Sequence, residues 1–203
     1  MTGLSFRWFI ELANNDAILR AFQTSLILGA LTAVISTTLG VLASLALVRY
    51  TVPGSNLIST CLIAPILVPE VVLAVALLLF LLLMGHVIFT LPFVILVVQA
   101  RLVGIRRDME EAALSLGASP IQTFFQITLP LLAPAVFAGM LFAFTISFDD
   151  ITGTLFWKPG GVETVPTQIF AMLRNSISPE INALGSVMIA LTVGLPLLGA
   201  AIA

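Results

Sequence analysis

Three carboxylates lie in or beside apolar runs, where an ionised group is costly and is therefore often functional. Glu70 lies inside a long apolar run, and Asp149 and Asp150 close a later one. Two adjacent carboxylates attract a flexible organic cation, and the neighbouring rings of Phe148 and Trp157 would stack on it. We therefore predict that Glu70, Asp149 and Asp150 line a path for a positively charged solute.

Each of these carboxylates also has a simpler interpretation. On a straight helix, a rise of ~1.5 Å per residue puts Glu70 ~18 Å along its span, near the middle of a bilayer. Pro65 and Pro69 would instead break that helix, so that Glu70 lies near an interface or caps a second half-helix. Asp149 and Asp150 are equally compatible with solvated residues at the end of a span or with a helix cap.

The sequence contains no other group of residues suited to catalysis or to binding a cofactor. Its single lysine, Lys158, is not part of a phosphate-binding Gly-x-x-x-x-Gly-Lys-Ser/Thr pattern, so ATP with its Mg²⁺ must be bound by another chain. The one histidine, His86, is predicted to be an interfacial residue at a turn, and the one cysteine, Cys61, a small buried hydrophobe. We expect no metal, no bound cofactor and no enzymatic activity.

A further set of residues is suited to binding a protein. Acidic residues crowd the first turn of a predicted short helix, where they complement the positive end of its dipole. Small residues and a glycine stop follow, and Pro130 is predicted to restart a helix. The residues of this docking face are Glu111, Ala112, Ala113 and Gly117. A face with so little side-chain bulk admits the side chains of a partner.

The rest of the chain has the composition of a membrane protein. Hydrophobic residues make up 60% and charged residues 9% of the 203, whereas soluble domains carry about 25% charged residues. We predict one all-α transmembrane domain, a polytopic helical bundle over residues 1–203 without a separate soluble domain. Its five spans are residues 22–48, 57–84, 87–103, 131–148 and 181–203, with the docking segment at 104–130. A tight turn at Gly85-His86 separates the second span from the third, and small residues of the first span (Ser36, Gly40 and Ser44) favour close helix packing.

Positive charge indicates how the bundle is oriented. Arg49 and the cluster Arg101, Arg106 and Arg107 are predicted on one side, and the remaining basic residues on the other. The density of the cluster at a span end places it, and the docking segment with it, in the cytoplasm. No basic run is present, so nucleic acid is excluded as a partner and the lipid bilayer is expected as the environment.

The docking segment belongs to a longer spaced pattern that resembles the coupling-loop signature of binding-protein-dependent ABC transporter permeases. Other stretches resemble the spermidine/putrescine branch of that family. The signature reads Glu111-Ala112-Ala113, three residues, Gly117, nine residues, Ile127, one residue, Leu129-Pro130, and the other stretches include Leu91-Pro92-Phe93-Val94 and residues 178–184.

The resemblance implies a permease subunit in the inner plasma membrane that passes polyamines through an importer driven by ATP hydrolysis on a partner. It also implies two cytoplasmic ATP-binding subunits, a second permease subunit and an external solute-binding protein. Glu111 would contact the ATP-binding subunit and Gly117 would set the turn. Iron, thiamine, sulfate or an amino acid remain alternative solutes, and a gated channel or an intramembrane enzyme are rival classes.

The sequence also departs from the pattern of these permeases. They usually begin with a further span and a basic N-terminus and end with a charged tail, none of which is found here, and the Gly85-His86 link is shorter than the corresponding region. These differences predict a truncated or divergent copy, with a non-functional permease as one alternative.

Overall fold

The computed structural model describes residues 7–77, 81–175 and 178–202. All regular structure within these ranges is helical, which confirms the predicted all-α class. A π-helical segment, Phe124–Thr128, joins α7 to α8. The α-helices are α1 (Arg7–Ala13), α2 (Asp16–Arg49), α3 (Ser55–Leu67), α4 (Glu70–Ala76), α5 (Leu82–Val103), α6 (Arg107–Ser115), α7 (Pro120–Thr123), α8 (Leu129–Asp149), α9 (Thr152–Trp157), α10 (Val165–Asn175) and α11 (Pro179–Ile202).

Among the described residues, four helical stretches are long and apolar enough to cross a bilayer, and a bent pair brings the total to as many as five. Helices α3 and α4 form that pair and meet at an angle of 111°. This range agrees with the five predicted spans. The four stretches are Asp16–Arg49, Leu82–Val103, Pro120–Asp149 and Pro179–Gly199.

The predicted second span is not a straight helix. It breaks between Leu67 and Glu70, because Pro69 has no amide hydrogen to continue the backbone bonding of α3. The straight-helix depth calculated for Glu70 is therefore wrong, and Glu70 is the first residue of α4. Cys61, predicted to be buried, is exposed on α3, a helix none of whose residues is buried in the isolated chain.

The predicted turn at Gly85-His86 is also wrong. Both residues are buried and lie in the first turns of α5, so the second and third predicted spans do not meet there. Residues 78–80 of the predicted second span fall outside the described ranges. A steric contact explains why a glycine lies at position 85 inside this helix: a Cβ there would lie 2.5 Å from two ring atoms of Trp157. The glycine admits a neighbouring side chain and does not reverse the chain.

Three long helices, α2, α5 and α8, pack against one another to form the centre of the bundle. The small-residue face of α2 makes the close contact with α5 that the sequence predicted. A Cβ at Gly40 would lie 2.6 Å from Val94 Cγ1. Ser36 Oγ lies 2.7 Å from Thr90 Oγ1, and Ser44 Oγ donates to a backbone carbonyl of α5 at 3.3 Å. Interhelical hydrogen bonds of this kind hold helices together where water is absent.

Replacement of Gly85 tests this packing. We expect Gly85→Ala to lower the thermal stability of the purified protein, because the added methyl overlaps Trp157, whose Nε1 donates to the Ala74 carbonyl at 3.0 Å. Overpacking of this kind costs about 1–3 kcal/mol. The matched control is Gly194→Ala on α11, where a Cβ meets no atom within 4 Å. Equal unfolding temperatures for the two variants in detergent would contradict the packing described here.

Basic residues gather at the two ends of the bundle as the sequence predicted. At one end, Arg107 donates to the Val48 carbonyl at the end of α2, and Arg101 donates to the Leu131 carbonyl on α8. At the other end, Lys158 and Arg174 line one surface groove. The docking segment therefore lies at the end of the bundle that carries the arginine cluster.

Candidate functional site

The helix α6 ends with the glycine stop that the sequence predicted. The Gly117 amide donates to the Leu114 carbonyl at 3.0 Å, and the Ala118 amide donates to the Ala113 carbonyl at 3.1 Å. Gly117 has a φ of +92°, a left-handed conformation that favours glycine over residues with a Cβ. This pair of bonds is a Schellman motif, and it fixes the direction in which the chain leaves α6.

The face of α6 that the sequence assigned to docking is accessible. Glu111 and Ala112 are exposed, and Ala113 is half-buried. Leu116, immediately after the helix, is 90% exposed, so the tip of the segment is apolar. At the start of α6, a hydrogen bond from Arg106 lowers the pKa of Asp108 and keeps its carboxylate charged. The segment presents an apolar tip beside acidic residues.

The chain returns to the bundle earlier than predicted. Helical structure restarts at Pro120, where Ser119 and Gln122 form a reciprocal cap, and Pro130 lies inside the continuing helical stretch. The prediction that Pro130 restarts the helix is therefore wrong. The π-helical segment just before it shifts the hydrogen bonding by one residue, with the Leu129 amide bonded to the Phe124 carbonyl. The Ser-Pro-x-Gln sequence was the available signal for this start.

At the opposite end of α8, Asp150 is a buried helix cap. Its carboxylate accepts hydrogen bonds from the Gly153 amide at 3.2 Å and from the Thr154 amide at 2.7 Å. Thr154 Oγ1 donates to the same carboxylate at 2.8 Å. These contacts satisfy the free amides of the first turn of α9. Of the two interpretations open for this residue, the structure shows the cap.

His86 packs beside this cap, within α5 and not at the predicted turn. It is 1% exposed, and its Nδ1 lies 2.8 Å from Ser147 Oγ. Its Nε2 lies 3.0 Å from Thr154 Oγ1 and 3.6 Å from Asp150 Oδ2. A buried polar ring needs such partners, and they come from helices distant in sequence. His86 is thus a residue of this site that the sequence did not reveal.

Glu70 reaches the same place from α4. Helix α4 packs against α9, and the Glu70 carboxyl group lies close enough to that of Asp150 for the two to interact. Glu70 itself is exposed, whereas Asp150 is 7% exposed. Asp149 is exposed at the end of α8. The structure therefore brings Glu70 and Asp150 together, the first exposed in the isolated chain and the second buried.

The two aromatic rings predicted to stack on a cation are both buried. Trp157 is 5% exposed and packs edge-to-face on His86, and Phe148 is 1% exposed and packs against Phe22 and Phe144. Because neither ring has a free face, the predicted stacking is wrong. Within the described part of the chain, no group of three metal-ligating side chains is arranged to hold an ion.

Several apolar spans, with an exposed short helix between two of them, define a multi-pass membrane protein. The family model for the inner membrane component of binding-protein-dependent transport systems matches residues 36–203. The chain belongs to this family. It is a permease subunit of an ABC importer and a multi-pass protein of the inner membrane.

Known relatives include polyamine permeases. The chain is 36% identical over 201 residues to the spermidine/putrescine transport system permease protein PotC of Escherichia coli K12, covering 94% of this chain and 76% of that protein. It is 37% identical over 207 residues to PotC of Haemophilus influenzae, covering 97% and 80%. It is 36% identical over 205 residues to the putrescine permease PotI of Escherichia coli K12, covering 92% and 73%.

Solved structures share the fold. A bacterial ABC transporter involved in the import of the acidic polysaccharide alginate matches with a TM-score of 0.81 at 17% identity, covering 100% of this chain and 84% of that one. The same kind of transporter in complex with a periplasmic protein bound to an alginate pentasaccharide matches with a TM-score of 0.79 at 17% identity, covering 97% and 81%. At this identity the likeness shows the fold alone.

Proposed function

We propose that this permease carries polyamines such as spermidine or putrescine into the cell, driven by ATP hydrolysis on a partner. The observation that carries the proposal is the proximity of Glu70 and Asp150, whose carboxyl groups interact although the two residues lie 80 positions apart in the chain. The names of the relatives supply the class of solute, because those permeases are described as spermidine and putrescine transporters.

The proximity of two carboxyl groups favours a positively charged solute. Two ionised carboxylates in contact repel each other, so a cation held beside both is stabilised by both. The exposed Glu70 would meet the solute first, and the exposed Asp149 lies next to Asp150 in the chain. A polyamine carries several separated ammonium groups and can interact with more than one of these side chains.

The coupling part of the proposal assigns α6 to the ATP-binding subunits. Glu111, Ala112 and Ala113 would contact a cleft of such a subunit, and Gly117 would hold the turn that presents them. The arginine cluster at this end of the bundle supports a cytoplasmic location. ATP and Mg²⁺ would be bound by those subunits, and this chain would bind no cofactor.

The remaining proposed partners are a second permease subunit and a solute-binding protein outside the membrane. The solved alginate transporter in complex with its periplasmic binding protein supports the latter by analogy of fold. Closure of the ATP-binding subunits would move the coupling helices, and the spans would then open the path alternately to either side.

Uptake of radiolabelled spermidine tests this proposal. We expect the complete importer to accumulate spermidine with ATP, and unlabelled putrescine to compete while thiamine, sulfate and amino acids do not. Glu70→Gln should reduce uptake about tenfold or more, because it removes one charge from the pair at a cost of more than about 1.4 kcal/mol. The matched control is Glu180→Gln, in the first turn of α11. Wild-type uptake of a different solute, with none of spermidine, would contradict the assignment of polyamines.

A further inference from the structure

An ion pair joins the coupling helix α6 to the end of α2. Arg49 is the last residue of α2, and its Nε lies 3.1 Å from Glu110 Oε2. The two side chains are only 10% and 17% exposed. The Nε hydrogen makes no directed hydrogen bond, so this contact is ionic. Arg49 also donates to the Ile105 carbonyl at 3.1 Å, and Thr128 Oγ1 donates to Glu110 at 2.9 Å.

A second contact joins the same two helices, this time with the arginine on α6 and its acceptors on α2. Arg107, the first residue of α6, donates to the Val48 carbonyl at 2.7 Å and reaches the Arg49 carbonyl at 3.5 Å. These are carbonyls at the C-terminal end of α2, where a positive charge is favoured by the helix dipole. We call Arg49, Arg107, Glu110 and Thr128 together the clasp.

The clasp distinguishes two adjacent glutamates. Successive residues of an α-helix point ~100° apart, since a turn takes ~3.6 residues. Glu110 faces the bundle and belongs to the clasp, whereas Glu111 is exposed on the docking face. An ion pair that is mostly removed from water is geometrically demanding, and loss of one partner leaves an uncompensated charge. Such a pair holds two helices in one arrangement.

The helices joined by the clasp extend to the other end of the bundle. Helix α2 has 34 residues, and near its start Ser25 Oγ accepts a hydrogen bond from the Val165 amide of α10 at 2.8 Å. At ~1.5 Å per residue, α2 is ~51 Å long. Thr128 connects the clasp to α8, whose far end leads into Asp150. The clasp therefore connects α6 directly to two spans.

We propose that Arg49 and Glu110 are positioning residues that transmit the movement of α6 to α2 and α8. This inference rests on the proposed function, in which an ATP-binding subunit moves α6. Glu110 lies outside the docking face and makes its contacts within this chain. Its loss should therefore uncouple ATP hydrolysis from transport without preventing the ATP-binding subunit from docking.

The test compares the solute transported per ATP hydrolysed by the complete importer in proteoliposomes. We expect Glu110→Gln to lower this ratio about fivefold, with ATP hydrolysis retained. Arg49→Gln should do the same, and the double variant should be no worse than the more affected single variant, because both remove one contact. Arg49→Lys keeps the charge and should retain most of the ratio. The control Glu163→Gln, which breaks the Lys158–Glu163 ion pair at the other end, should leave it unchanged.

Two results would overturn the inference: an unchanged ratio in Glu110→Gln, or additive losses in the double variant. Should Glu110→Gln fail to accumulate in the membrane, Thr128→Val removes one hydrogen bond of the clasp with little change of shape. We expect Thr128→Val to lower the ratio of solute transported to ATP hydrolysed by a smaller factor, and an unchanged ratio would contradict the role of the clasp. A failure of the proposed function would be distinguishable from a failure of this inference, because the wild-type importer would then itself show no transport coupled to ATP.

Discussion

Glu111→Lys is expected to abolish ATP-driven uptake while the chain still inserts and folds. Glu111 is exposed on α6 and does not belong to the clasp, so the substitution leaves the bundle intact. Reversal of its charge would place a lysine against a surface that has to accept a carboxylate. Loss of a charged contact buried in an interface costs about 2–5 kcal/mol, a decrease of roughly 30-fold or more in binding. Uptake and the amount of co-purified ATP-binding subunit measure this effect.

The matched control for this variant is Glu11→Lys. It makes the same change of charge on α1, near the other end of the bundle, and disrupts a surface ion pair with Arg7. Such pairs contribute about 0–1 kcal/mol, so uptake should remain close to that of the wild type. If Glu111→Lys transported as well as Glu11→Lys, α6 would not be the coupling element.

Asp150→Ala is expected to cause the largest loss of stability. The substitution leaves the Gly153 and Thr154 amides without their acceptor and removes the charge facing His86. Buried donors without partners cost about 1–3 kcal/mol each, so a strongly lowered unfolding temperature and little protein in the membrane should result. Asp150→Asn keeps the shape and one acceptor oxygen, and should be more stable than Asp150→Ala. Thermal unfolding in detergent gives the comparison.

Asp149→Ala provides the control for Asp150→Ala, since the same residue type is exposed one position earlier. Its unfolding temperature should stay close to that of the wild type, because the free energy of unfolding should change by no more than about 0.5 kcal/mol. Similar unfolding temperatures for the two alanine variants would show that the buried cap is not important for the fold. Unchanged spermidine uptake in Asp150→Asn would separately remove this carboxylate from the proposed path.

The helix α6 and its glycine stop were predictable from sequence because local interactions determine them. Acidic residues at a helix start, alanines within it and a glycine at its stop act over one or two turns, and the structure has the stop at Gly117 where it was predicted. The small residues of α2 were equally informative, because close packing of helices in a membrane requires them. The number of spans follows from the length of the apolar runs.

The arrangement around Asp150 could not be derived in the same way. A Gly-His pair in an apolar run is compatible with a turn or with a buried contact, and the choice depends on Trp157, 72 positions after Gly85. His86 is buried because its partners on α8 and α9 satisfy both ring nitrogens. Contacts between distant helices decide such cases, and no local pattern in one sequence reports them.

Crosslinking from the docking face tests the central claim most directly. Ala112→Cys, in a Cys61→Ser background that removes the exposed native thiol, places one thiol on α6. In the assembled importer we expect a crosslink to an ATP-hydrolysing chain. Leu197→Cys on α11, where the leucine is 64% exposed, should give none. An importer that transports solute while the thiol at position 112 crosslinks to no ATP-hydrolysing chain would contradict the account.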